Sequence, residues 1–251
     1  MPAATPILSV ITVCFNAEKT IERTIQSVLQ QTYPAIQHII VDGTSSDGTM
    51  NIINTYKDRI AMVISEKDAG LYDGMNKGLR AATGDYVYFL NADDEFYSND
   101  VVEKIFTSAT EADVYYGEVM FTDMEGKELG LRSRVTNQKT PEQLDWKGLQ
   151  KGMVVSHQAF FIKRELAASY DLNYKICSDI DWMIRCLKHC SKIINTHFVF
   201  AKFAAGGTSK QRQKLAWRER FFILQKHYGG IKNLCNHGLI IIRRIFSKQN
   251  Y

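Results

Sequence analysis

Proline is scarce in this sequence, at four of 251 residues, and cysteine numbers only five. Cys14, Cys177, Cys186, Cys190 and Cys235 are an odd, scattered set without a CxxC pair, so neither a disulfide framework nor a zinc site is expected. Reduced thiols in a cytoplasmic protein are the default reading. No apolar run approaches the roughly 20 residues that span a bilayer. The first six residues lack the basic segment and apolar stretch of a signal peptide. Neither sign of charge dominates: 31 Lys and Arg face 27 Asp and Glu, for a net +4, too little to predict nucleic-acid binding. Internal repeats and low-complexity linkers are also missing.

What the chain does have is an alternation of period over its first hundred residues. Ile7 to Phe15 is a short apolar run suited to a strand buried on both faces. Asn16 is placed to cap the helix that follows, where Ile21, Ile25, Val28 and Leu29 recur at helical spacing before Pro34. Ile36–Val41, Ile60–Ser65 and Asp85–Leu90 read as further strands. Asp47 caps one intervening helix, and Leu71, Met75, Leu79 and Ala82 mark another. Such repetition predicts right-handed crossovers and a mostly parallel α/β sheet with helices on both faces. The later chain reads differently. A hairpin is expected from Val114–Thr122 and Leu129–Val135, then a short helix over Pro141–Gln150 and a strand over Gln158–Ile162. A helix over Asp179–Cys190, a strand over Ile193–Phe203 and a helix over Leu215–Tyr228 follow.

Ligands of open α/β sheets bind beyond the carboxyl ends of the strands. Here those ends carry Asn16, Asp42, Asp68, and then Asn91, Asp93 and Asp94. A lone Asp after a strand is ordinarily a cap or turn residue. Several on one rim repel one another unless a cation or ligand offsets them. Adjacent carboxylates such as Asp93 and Asp94 suit a hard divalent ion, Mg²⁺ or Mn²⁺, that also meets substrate phosphate oxygens.

The stretches SVITVCFN (9–16), IIVDGTSSDGT (39–49), ISEKDAGLYDGMNKGLRAATGDYVYFLNADD (64–94), SHQAFFIKR (156–164), SDIDWMIRCL (178–187) and GGTS (206–209) resemble family 2 glycosyltransferases of the GT-A fold, in the subgroup of bacterial surface-polysaccharide synthesis. The resemblance implies that Asp42 binds the nucleotide base and that Asp68 lies near base and ribose. Thr12 and Asn16 would border the same pocket. It also implies that Asp93 and Asp94 form the DxD-like metal motif and that Asp179 is the catalytic base. The first motif position is Asn91 where many members carry Asp, assigning it to ribose or metal. Ser178 stands where many members carry Glu. His157 becomes a candidate for metal, diphosphate or acceptor; the alternative is a hydrogen-bonded core histidine. Lys210 and Arg212, beside Gly206 and Gly207, are candidates for a diphosphate clamp. An ordinary strand-to-helix loop is the alternative there. Asp181 and Arg185, at i and i+4, are expected to form an ion pair.

These readings imply an inverting, metal-dependent transfer from a nucleotide diphosphate sugar, UDP-linked, to a saccharide acceptor that is lipid-linked. Residues 1–230 would form one domain, with a nucleotide-binding half (1–97) and an acceptor-side half (98–230). The apolar and basic tail, 231–251, would contact the inner face of the membrane as a peripheral element. Two rivals stay open: a sugar nucleotidyltransferase, and a non-catalytic nucleotide-sugar binder.

Overall fold

The computed structural model describes residues 5–108, 111–123, 125–136, 138–204 and 212–230. The expected Gly206–Lys210 loop and the 231–251 tail lie outside the described residues. Strand β1 (Leu8–Cys14) is buried along its whole length, as its apolar run requires. It pairs in parallel with β2 (Ile36–Asp42) on one side and β4 (Tyr86–Phe89) on the other, and β3 (Met62–Ser65) extends the sheet beyond β2. Helices α1 (Ile21–Leu29), α2 (Thr49–Thr55) and α3 (Leu71–Ala81) make the crossovers. Ile21 and Ile25 of α1 bury against Ile40 of β2 and Ile53 of α2. Helix α3 packs into the larger core, where a Cβ on Gly78 would stand 2.3 Å from Ile11 Cγ2. Glycine at that position lets the helix backbone lie directly on β1.

The sheet does not stop at β4. The short β5 (Glu95–Phe96) leads to α4 (Val101–Ser108) and the long β6 (Val114–Thr122). Strand β8 (Phe160–Lys163) runs antiparallel to both β4 and β6, and β9 (Ile193–Ala204) is parallel to β6. At the far edge β5 returns to pair antiparallel with β9. The order β3-β2-β1-β4-β8-β6-β9-β5 is thus one mixed sheet spanning both halves, with β7 (Glu128–Leu131) attached to β6. Helix α6 (Ser178–Leu187) buries Ile180, Trp182, Met183 and Ile184, and α7 (Gln213–Tyr228) packs against it.

Three local expectations fail for identifiable reasons. The hairpin's second strand ends at Leu131 and gives way to the single turn α5 (Arg132–Val135). That turn tucks Arg132 inside, where its guanidinium donates to the carbonyls of Gln138 (3.1 Å) and Met153 (2.6 Å). No α-helix forms over Pro141–Gln150; turns lead to a short 3₁₀ segment, Gly148–Lys151. The carbonyls of Pro141 and Glu142 instead accept from the Tyr116 hydroxyl, at 2.8 and 2.9 Å. Asn16 does not cap α1, whose N-cap is Thr20 without a side-chain capping bond. Its side chain is used elsewhere.

Candidate active site

The ends of β1 and β2 are laced together. Asn16 and Thr44 both adopt positive φ, 50° and 66°. The Asn16 amide donates to Ser45 Oγ (2.8 Å), and Asn16 Oδ1 accepts the Ser46 amide (2.8 Å). Left-handed backbone at non-glycine residues persists only where the surroundings over-determine it, and it clusters at ligand sites. Here the crossed bonds do the holding. Asp42 is fully buried; its carboxylate accepts the Ser45 amide (3.0 Å), the Ser45 hydroxyl and the Ser65 hydroxyl (2.9 Å). It therefore shapes the loop from beneath. Asp68 is more open and accepts the Gly70 amide at 2.9 Å. A Cβ on Gly43 would meet Asp68 Oδ2 at 2.6 Å, so the glycine after Asp42 makes room for the second carboxylate.

Thr12, expected on the pocket wall, is fully buried with its hydroxyl 3.1 Å from His38 Nε2. Both faces of β1 are covered, so a side chain midway along the strand is buried whichever way it points. The rim residue that sequence reasoning missed is Phe15, 63% exposed beside Asn16. Single exposed hydrophobic side chains are ordinary on a protein surface, so only its place next to the Asn16 loop makes it a candidate. Its signal in the sequence was only the apolar run continuing one residue past the strand.

The acidic pair follows β4. Asp94 is 1% exposed, and its Oδ2 accepts from Gln158 Nε2 at 3.1 Å. Asp94 Oδ1 and Asn91 Oδ1 are both buried without a hydrogen-bond partner among the described residues. Burial raises the Asp93 carboxyl, against a pull from Arg23. Burial and then the neighbouring Asp93 raise Asp94 well above the usual carboxylate range. Arg23 reaches over from α1, with Nε 3.4 Å from Glu95 Oε1 and Nη2 3.5 Å from the Asp93 carbonyl. Oxygen-only donors with orphaned lone pairs and crowded carboxyls fit a hard divalent cation. No group of three or more His, Cys, Asp or Glu side chains placed to hold a metal ion occurs among the described residues, so such a cation would take its remaining ligands from substrate and water.

His157, expected as a metal candidate, is a core residue instead. Its Nε2 lies 2.5 Å from the Tyr170 hydroxyl, and its ring stacks on Phe89 and meets Trp182 edge-on. Burial lowers it to about 3, leaving a neutral imidazole. An aromatic pocket and a hydroxyl partner satisfy it without a metal. Trp182 is likewise core, and its Nε1 donates to the Ala168 carbonyl at 2.5 Å. Arg212 stands exposed at the start of α7; Lys210 lies outside the described residues.

Asp179 sits in the first turn of α6, only partly exposed, with Oδ1 accepting the Ile180 amide at 2.9 Å. Burial pushes its carboxyl up to about 6, with the Ile180 amide and the Arg220 guanidinium pulling back. The Tyr72 hydroxyl joins this acid to the other half of the chain. It bonds the Ile176 carbonyl (2.7 Å) and lies 3.4 Å from Asp179 Oδ1, while α3, which carries it, begins three residues after Asp68. Tertiary structure thus brings the Asp68 loop and Asp179 to one place. Asp181, one helical turn from Arg185, is fully buried and pairs with it at 2.6 Å, facing α7 rather than the rim. Glu219 of α7, also missed from the sequence, accepts the amides of Lys175, Ile176 and Cys177 at 2.7, 2.8 and 2.9 Å. It holds the segment that presents Asp179.

Comparison with known proteins gives the family and the fold. Residues 9–170 match the family model described as Glycosyl transferase family 2. A PGL/p-HBAD biosynthesis glycosyltransferase of Mycobacterium bovis is 29% identical over 210 residues, covering 80% of this chain and 77% of that protein. An uncharacterized glycosyltransferase of Mycobacterium tuberculosis is 30% identical over 216 residues, covering 84% and 80%. Among solved structures, S. aureus TarS 1–349 in complex with UDP superposes with a TM-score of 0.70 at 17% identity, over 97% of this chain and 73% of that one. A mannosyltransferase of Pyrobaculum calidifontis in complex with GDP-Man and Mn²⁺ gives 0.62 at 18%, over 99% and 77%. The shared architecture is the GT-A fold.

Proposed function

Because this chain belongs to glycosyltransferase family 2, we propose that it transfers a sugar with inversion from a UDP-linked donor to a hydroxyl of a lipid-linked saccharide, aided by Mn²⁺ or Mg²⁺. The observation that carries this reading is the meeting of the Asp68 loop with Asp179 through Tyr72. It supports a carboxyl raised to about 6 acting beside the loop that carries Asp68. At the strand ends Phe15 offers its face to the base, Asp68 faces base and ribose, and Asp42 with Asn16 keeps the loop in shape. Thr12 acts from below, through His38.

Asp93 and Asp94, with Asn91, would hold the cation, which supplies Lewis-acid stabilisation of the diphosphate. Lys210 and Arg212 are the candidates to cover that diphosphate. The reaction itself needs one base. Asp179 takes the proton from the acceptor hydroxyl as that oxygen bonds to the anomeric carbon. The bond from that carbon to the diphosphate oxygen breaks with its electron pair, and the nucleoside diphosphate departs from the opposite face. The UDP bound by TarS and the GDP-Man and Mn²⁺ bound by the mannosyltransferase support the donor and metal assignments. A nucleotidyltransferase would want a glycine-rich, basic loop after β1. Here Glu18 occupies that loop and its Oε2 accepts the Gly48 amide at 2.8 Å.

The test is a turnover assay across a panel of nucleotide sugars. Wild type should release nucleoside diphosphate with one donor, and excess EDTA should stop it. Asp93→Ala should abolish diphosphate-dependent metal binding and nearly all transfer. Full activity in EDTA would remove the metal from the proposal.

A further inference from the structure

Asp68 lies on the loop between β3 and α3, where Glu66, Lys67, Ala69 and Gly70 are all exposed. Keeping a carboxylate in one place on a loop so open to water costs conformational entropy, and something must offset it. The holding comes from α3. Its first turn lies against Asp68: a Cβ on Gly74 would stand 3.6 Å from Asp68 Oδ2 and 2.6 Å from Val13 Cγ1. The helix is therefore seated directly on β1 and fixed relative to the strand ends.

From that helix two side chains, one turn apart, reach back to the residues on either side of Asp68. Asp73 Oδ2 accepts the Ala69 amide at 3.0 Å, and Lys77 Nζ donates to the Lys67 carbonyl at 2.7 Å. The two also support each other at i and i+4, with Nζ 3.6 Å from Asp73 Oδ2, and Glu66 Oε1 lies 3.0 Å from the same Nζ. The Asp73 bond has an ordinary explanation, because an acid in the first turn commonly accepts an amide at the start of its helix. Lys77 does not. It stands in the second turn with its side chain only 10% exposed, and lysine is ordinarily left to water unless paired. An oxygen stands near Nζ for each of its three donors, which makes it a partner of the loop rather than of a substrate.

We propose that Lys77 is a positioning residue for donor binding. By gripping the Lys67 carbonyl from α3 it presets the loop, so that the Asp68 carboxylate stands beside Gly43 and Gly74 before the nucleotide arrives. This rests on Asp68 facing the base and ribose of the donor. Without Lys77 the loop is ordered only on binding, and that ordering is subtracted from the affinity.

Calorimetric titration of the full chain with UDP in the presence of Mn²⁺ tests it on a double-mutant cycle of wild type, Lys77→Met, Asp68→Ala and the pair. Asp68→Ala should weaken UDP by about tenfold or more, the scale of a charged hydrogen bond. Lys77→Met keeps the stem and removes the charge, and should weaken UDP by about threefold or more. The pair should be no weaker than Asp68→Ala alone, because Lys77 acts through Asp68. A lysine that only steadied the fold would lower the melting temperature of both backgrounds without this dependence on Asp68. If Lys77→Met does not fold by circular dichroism, Lys77→Gln, which keeps an amide donor, carries the same cycle. Losses that add in the pair overturn the proposal. So does wild-type UDP affinity in a folded Lys77 variant beside a loss in Asp68→Ala. Wild-type affinity in Asp68→Ala is a different failure: it would remove Asp68 from the donor site, and the positioning role with it.

Discussion

A carboxyl that titrates near 6 is useful only if it is ionised when the acceptor arrives. Burial moves Asp179 there from the ordinary 3.8, and the Ile180 amide at the start of α6 limits the rise. Two consequences follow at the scale of this one residue. Transfer should increase with pH through about 6, because the base must lose its proton first. Stability should run the other way. The folded state holds this proton more tightly than the unfolded chain, so the group's contribution is most favourable below the unfolded value and declines as pH rises through the folded one. Asp179→Asn keeps size and shape and removes both effects. Turnover should fall by ~10²–10⁴-fold while the melting temperature at neutral pH holds or rises. Donor affinity, measured beside kcat, should stay near wild type. A variant that loses donor binding as well would place Asp179 on the nucleotide instead.

Helix α6 carries two acids two residues apart in different surroundings, and the contact with α7 sets those of Asp181. Asp181 points into that contact, where Arg185 Nε (2.6 Å), His227 Nε2 (2.8 Å) and Lys226 Nζ (3.2 Å) surround it. Burial opposes its ionisation, but the bonds from His227, Arg185 and Lys226 outweigh burial and hold the carboxyl well below the usual range. Removing one partner of a buried ion network costs about 3–5 kcal/mol, so Asp181→Asn should melt markedly earlier than wild type. With its folded pKa depressed, Asp181 stabilises above the unfolded carboxylate value, and that stability is lost as pH falls through the acid range. Thermal melts at neutral and acid pH check the sign: the gap between wild type and Asp181→Asn should close on acidification. At permissive temperature the variant should keep its turnover per folded molecule. Loss of turnover without loss of stability would exchange the roles of the two acids. The i, i+4 spacing of Asp181 and Arg185 announced their pair in the sequence. Lys226 and His227, 45 and 46 residues away, gave no such signal, because nothing local ties α7 to α6.

Across the described residues a single sheet links the parallel first half to the mixed second half, with β5 pairing β9 at its far edge. No described helix is long and apolar enough to cross a membrane. A route to a lipid-linked acceptor is therefore proposed through the tail, where Leu239, Ile240, Ile241 and Ile242 precede Arg243, Arg244 and Lys248. An apolar and basic segment of that kind suits an anionic interface. Truncation after Gly230 should abolish cosedimentation with anionic vesicles and leave transfer to a soluble acceptor intact; unchanged vesicle binding would remove the tail from this role. The parallel half of the sheet was legible in the sequence because strand burial and helical period are local patterns, as the buried run Leu8–Cys14 illustrates. The resemblance in residues 64–94 carried the acids at the strand ends in the same way. Local pattern could not say that Asn16 would lace two loops rather than cap a helix, or that His157 would spend its nitrogen on Tyr170. Nor could it show Glu219 fastening the segment before Asp179, or Tyr72 joining that acid to the helix after Asp68. The sequence alone determined the alternation of strand and helix through the first ninety residues or so, since that depends on neighbours a few positions apart. Only the tertiary structure decided which residues stay open at the strand ends and which face the core, because burial and partnership are set by segments far apart in the chain.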